Sequence, residues 1–104
     1  MDRHRTAELR SLAYHRAIAA RLTDDPTIVT RAGARLDRAV RAGTSHPHYV
    51  AIWRALLALP VAELVRALGD DSEAMTAARQ ATPFTGVLTA RERWALWRSV
   101  AATP

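Results

Sequence analysis

Apolar residues recur along this chain at intervals of three and four, β-branched residues are scattered, and strict apolar–polar alternation is absent. That periodicity predicts helices and no strands. A first helix from about Thr6 to Leu22 carries two apolar stripes, Leu9, Leu12, Ala13 and Ala20 on one side and Tyr14, Ile18 and Leu22 on another. A helix apolar on two sides is one that neighbours touch from two directions. The second helix spans about Pro26 to Ala42: Asp25 offers an N-cap, Pro26 suits the first helical position, and Gly43 provides a stop. On a helical wheel Ile28, Val29, Ala32, Leu36, Ala39 and Val40 share one arc, whereas Arg31, Arg35, Arg38 and Arg41 share another.

Ser45-His46-Pro47 opens a third helix, in which Tyr49, Ile52, Trp53, Leu56 and Leu59 recur with helical spacing and are expected in the core. Pro60 breaks it, and a short fourth segment follows with Val61, Leu64, Val65 and Leu68 on one face before Gly69 stops it. Asp70 and Glu73 have capping-box spacing for a short helix through about Gln80. Thr82 to Leu88 reads as an ordered loop, with Pro83 and Gly86 as turn residues and Phe84, Val87 and Leu88 as anchors. Thr89 and Glu92 repeat the capping-box spacing ahead of a last helix carrying Trp94, Trp97 and Val100 on one side, and Ala101 to Pro104 is expected to fray. The expected architecture is all-α, a compact single-domain bundle of about five to six short helices over residues 1–104.

Composition bears on partners more than on fold. All fifteen basic residues are arginine, beside 22 alanines, and the net charge is +5. Such a chain favours acidic partners: nucleic acid, an acidic protein surface or anionic lipid. A lysine-free Ala/Arg mixture also arises from GC-rich coding sequence, which discounts charge alone as a signal of function. The absence of cysteine excludes disulfides, thiolate metal sites and a cysteine nucleophile, and fits a reducing cytoplasm. The basic start from Met1 to Arg5 leads into Glu8 and Arg10 instead of an apolar signal core, and Arg54, Pro60 and Glu63 interrupt the longest apolar stretches. A soluble cytoplasmic protein that does not span a membrane is expected.

No catalytic constellation is legible. His46-X-His48 lacks an accompanying carboxylate or cysteine, and Pro47 between them marks a helix start more than a metal pair. His15 faces the Tyr14 and Ile18 side of the first helix with no nucleophile beside it, as a partly buried hydrogen-bonding residue would. The carboxylate pairs Asp24-Asp25 and Asp70-Asp71 stand where helix caps are expected. Phosphate-cradling glycine loops, nucleophile elbows and zinc signatures are absent, so no catalytic residue, metal or cofactor is assigned. The arginine row remains, because a guanidinium grips carboxylates and phosphates bidentately. A helix-turn-helix regulator is the competing reading, but a base-reading helix mixes arginine with Asn, Gln, Ser or Thr, and the second helix offers only Thr27 and Thr30.

The segments Leu9-Arg10-Ser11-Leu12-Ala13-Tyr14-His15-Arg16, Asp70-Asp71-Ser72-Glu73, Arg79-Gln80-Ala81-Thr82-Pro83-Phe84-Thr85-Gly86-Val87-Leu88 and Arg91-Glu92-Arg93-Trp94 together resemble a family of small α-helical bacterial proteins. These are antitoxins of two-component toxin–antitoxin systems that neutralise nucleotidyltransferase toxins. The resemblance implies a non-enzymatic inhibitor that binds its cognate toxin and blocks the active site or RNA access. Arg31, Arg35, Arg38 and Arg41 are then the expected polar contacts, and Tyr14, Tyr49 and Trp97 the expected aromatic anchors wherever they are exposed. The alternative is a basic nucleic-acid-binding transcriptional regulator.

Overall fold

A computed structural model describes residues 3–102; Met1, Asp2, Thr103 and Pro104 lie outside them, so half of the terminal segment expected to fray, Thr103 and Pro104, falls outside the described residues. Six helices follow one another: α1 Arg3–Leu22, α2 Thr27–Arg41, α3 Pro47–Leu57, α4 Val61–Leu68, α5 Glu73–Arg79 and α6 Ala90–Ala102. No strand occurs among the described residues, and no helix there is long and apolar enough to cross a membrane. The all-α expectation holds.

α1 is the hub, packing against α2, α4, α5 and α6, while α3 packs on α2, α4 and α5. Its two apolar stripes merge into one buried line of Leu12, His15, Ile18, Ala19 and Leu22, and Ala20 faces solvent instead of core. The central cluster joins that line to Ile28, Ala32 and Leu36 of α2, Trp53 of α3, Leu64 and Leu68 of α4, Ala78 of α5 and Phe84 of the following loop. Val40, assigned to the apolar arc of α2, is 44% exposed because it lies at the edge of that arc.

The segment between α5 and α6 carries no regular structure yet is part of the core. Pro83, Phe84 and Leu88 are buried. Phe84 meets Trp53 edge to face at 5.7 Å, and the Trp53 indole donates to the Ala78 carbonyl at 2.9 Å. The Tyr14 hydroxyl donates to the Phe84 carbonyl at 2.6 Å, tying α1 to the loop.

Helix ends explain the chain path. Asp25 accepts from the Thr27 backbone N–H at 3.2 Å and from the Thr27 hydroxyl, while Pro26 already has helical angles. α2 ends in a Schellman turn: Gly43, at φ 69°, donates to Val40, and Thr44 donates to Ala39. The His46 ring accepts from the His48 backbone N–H and caps α3. At α5 the cap is Ser72, which accepts from Met75 N–H, while Asp70 braces the preceding turn by accepting from Ser72 N–H; the Asp70 and Glu73 pairing expected from spacing does not form the box. Thr89 and Glu92 do form one, each side chain accepting from the other's backbone N–H.

Gly69 ends α4 without a left-handed turn, at φ −95°. Two arginines take over the carbonyls at that end: Arg79 donates to Asp70 O at 2.6 Å and Leu68 O at 3.4 Å, and Arg16 donates to Gly69 O at 3.1 Å. Arg79 is only 2% exposed, and burial lowers its pKa below the usual guanidinium value, although Asp71 and Asp70 oppose that shift. Its charge sits where the helix dipole is negative.

Candidate partner-binding site

The arginines divide into those spent on the fold and those that are not. Besides Arg16 and Arg79, Arg21 pairs with Glu92 to join α1 to α6, Arg54 pairs with Asp37 at 3.0 Å to join α3 to α2, and Arg5 reaches Asp71 at 3.6 Å. On α2, Arg31, Arg35, Arg38 and Arg41 are all exposed. Arg31 meets Asp25 at 3.6 Å, whereas no described carboxylate lies within ion-pair distance of Arg35, Arg38 or Arg41. Arg38 and Arg41 also occupy the last helical turn, where a positive charge is favoured by the helix dipole whatever else it does.

Three members of the row converge on one feature. Arg31, Arg35 and Arg38 line a depression of about 150 Å³ whose opposite wall is Pro83, Thr85, Gly86 and Val87. Gly86 has φ 79°, and a Cβ built there would lie 3.2 Å from Arg35 Nη2, so the guanidinium lies against the turn. Arg41 lies beyond this depression, one turn further along the helix.

On the other side of the same loop a mostly apolar groove of about 380 Å³ runs between α1 and α6. Ala7, Arg10, Tyr14, Arg93 and Trp97 form its sides, with Ser11, His15 and Thr82 also lining it. Thr85 and Gly86 line both features, which makes the arginine depression and the aromatic groove two halves of one face. The Arg10 guanidinium lies over the Trp97 ring, its Cζ 5.5 Å from the centroid. Trp94 packs edge to face on Trp97 at 5.7 Å and is itself 60% exposed.

His15 lies beneath this groove, 1% exposed and within stacking or edge distance of Tyr14, Trp53 and Phe84. Its Nδ1 is 2.7 Å from the Ser11 carbonyl, which can only accept, so Nδ1 carries the proton. Nε2 then accepts from the Thr82 hydroxyl at 2.8 Å, and Thr82 in turn accepts from Phe84 N–H at 3.1 Å. Burial pushes the imidazole down from 6.5 to about 4, against the hydrogen bond to Ser11 and assisted by the charge of Arg79.

The expected aromatic anchors therefore stand in different places. Trp97 lines the groove, Tyr14 lines it with its hydroxyl already committed to Phe84, and Tyr49 lies in a separate hollow beside Leu36, His46 and Gln80. Sequence reasoning missed the groove's Arg10 and Arg93 and the exposed Trp94. The one available signal was the i, i+4 spacing of Arg93 and Trp97, which puts them on one face of α6. Nothing in the sequence links Arg10 to α6. Among the described residues no three His, Asp or Glu side chains gather as a metal set. His46 and His48 instead flank the start of α3 in edge contact with Tyr49.

The fold defines a small all-α protein with a basic and aromatic face. No protein-family model, curated protein or solved structure matches the chain.

Proposed function

We propose that this chain is an antitoxin-like protein that neutralises a cognate toxin, a nucleotidyltransferase, by direct protein–protein binding in the bacterial cytoplasm, as an inhibitor and not as an enzyme. The observation that carries this reading is the adjacency of Arg35 and Arg38, without ion-pair partners among the described residues, to an apolar groove walled by Tyr14 and Trp97. Charge without apolar relief would suffice for a phosphate backbone, whereas protein partners are held by aromatic and arginine anchors in desolvated pockets. A nucleotidyltransferase presents metal-binding carboxylates and a phosphate-accepting site, and a basic face complements that potential. The resemblance carried by the segments from Leu9 to Arg16 and Asp70 to Trp94 points the same way.

The test is co-expression with the product of the neighbouring gene. A stable complex is expected, and Arg35→Glu with Arg38→Glu should cut its recovery while leaving far-UV helicity unchanged, because both side chains are exposed. If no complex forms with the neighbouring product, the proposal fails. Should the chain instead bind duplex DNA with a steep salt dependence, the transcriptional-regulator reading replaces it.

A further inference from the structure

The groove between α1 and α6 has a composition that selects its occupant. We propose that it seats an acidic, aromatic peptide segment of a protein partner, with an apolar side chain between Tyr14 and Trp97 and an adjacent carboxylate on the guanidinium groups of Arg10 and Arg93. This rests on the reading of the chain as a binder of an acidic protein, and it names the second half of the same face.

Arg93 Nε is buried with no hydrogen-bond partner among the described residues. A buried donor left unpaired is costly, and at Nε no protein acceptor competes with an incoming carboxylate for this guanidinium. No Asp or Glu lines the groove, so Arg10 and Arg93 bring two positive charges to a mostly apolar cleft with no acid beside them. Other arginines of this chain, among them Arg5, Arg16, Arg21, Arg54 and Arg79, meet carboxylates or carbonyls. The volume, about 380 Å³, is enough for a large side chain and lies within the roughly 300–1,000 Å³ usual for ligand sites.

Arg10 Cζ lies over the Trp97 ring, 5.5 Å from its centroid, a cation–π contact that keeps the guanidinium beside the ring. Because Thr85 and Gly86 border both this groove and the Arg31, Arg35 and Arg38 depression, a segment crossing the loop would reach both.

The experiment is a titration of the ¹⁵N-labelled full chain with an acetylated, amidated peptide of sequence Glu-Asp-Phe-Leu-Asp-Glu, and with its Gln and Asn counterpart. The acidic peptide should shift the Trp97 indole N–H and the Gly86 amide, with the neutral one binding about tenfold more weakly, as expected when charge-assisted bonds are lost. Arg93→Gln should weaken binding about tenfold, and Arg93→Lys, which keeps the charge but lacks Nε and the fork, should not restore it. Equal affinity for the two peptides, no shift at about 5 mM of either, or a Trp97 shift caused by oligo-dT and not by peptide would overturn the proposal. Shifts confined to α2 would remove the groove and leave the arginine row standing. Shifts at Trp97 without any complex with the neighbouring gene product would keep the groove and remove the antitoxin reading.

Discussion

Protonating His15 means placing a charge among Tyr14, Trp53 and Phe84 and facing the Arg79 cation, while turning Nε2 from an acceptor of the Thr82 hydroxyl into a donor. The folded value of about 4 lies below the ordinary 6.5, so between those limits the unfolded chain holds a proton that the native chain does not. Stability from this site is complete above about 6.5 and is lost as the pH falls towards about 4. At one pKa unit per 1.36 kcal/mol the effect is up to about 3 kcal/mol. Urea unfolding at a series of pH values between these limits checks it: the wild type should weaken progressively, and His15→Gln should flatten the slope. A wild-type profile flat across that window would show that the imidazole is not held neutral. Sequence reasoning reached the burial of His15 from its helix face, but not the hydroxyl that donates to it, because Thr82 is 67 residues away. The same limit hid Arg79: an arginine that closes the end of α4 and one that lies open on α2 are the same letter, and which orphaned carbonyl comes within reach depends on how the helices pack.

At the level of elements, the local signals that were legible act within a few residues. Asp25, Gly43, the Pro47 helix start and the Thr89 and Glu92 box all perform the roles their spacing predicts. Ser72 displaced Asp70 as the α5 cap because Asp70 had a nearer donor in Ser72 N–H, and short polar side chains compete for such turns. The loop after α5 was readable as ordered from Phe84, Val87 and Leu88, but its place between the arginine row and the α1 and α6 groove was not. Gly86 is the position where that loop has least latitude, since a left-handed φ strains any residue with a Cβ. Gly86→Ala should cost about 1 kcal/mol. Thermal unfolding of the variant measures it, alone and with Arg35→Ala. The same loss in both backgrounds would put the strain in the backbone; relief by Arg35→Ala would put it in the 3.2 Å approach of Nη2. No loss in either would mean that the turn readily adopts another conformation.

Across the whole molecule, the buried line of α1 gathers α2, α4, α5 and α6 around it, and the Cα radius of gyration of 13.6 Å is near the roughly 13 Å expected for a folded chain of this length. The long-range ion pairs, Arg54 with Asp37, Arg5 with Asp71 and the half-exposed Arg21 with Glu92, all remain open to solvent, and such pairs each contribute about 0–1 kcal/mol. Stability should therefore respond weakly to salt while capture of an acidic partner responds strongly. Raising NaCl from about 0.05 to about 0.5 M, which shortens the screening length several-fold, should shift the thermal midpoint by only a few degrees yet weaken binding of an acidic protein or peptide by at least about tenfold. Affinity that does not change with salt would remove the arginine row from the interface. What the sequence by itself determined is helical content, most helix ends and the separation of apolar from arginine faces on α2, because periodicity and capping are set by neighbours within about one turn. Only the tertiary structure decided which arginines are consumed by the fold, that Trp94 and not Tyr14 lies open, and that Arg10, Arg93 and Trp97 share one groove. Those outcomes depend on contacts between separate elements, 17 positions apart for Arg54 and Asp37 and 53 for Arg16 and Gly69, and no local pattern encodes the approach of two distant helix faces.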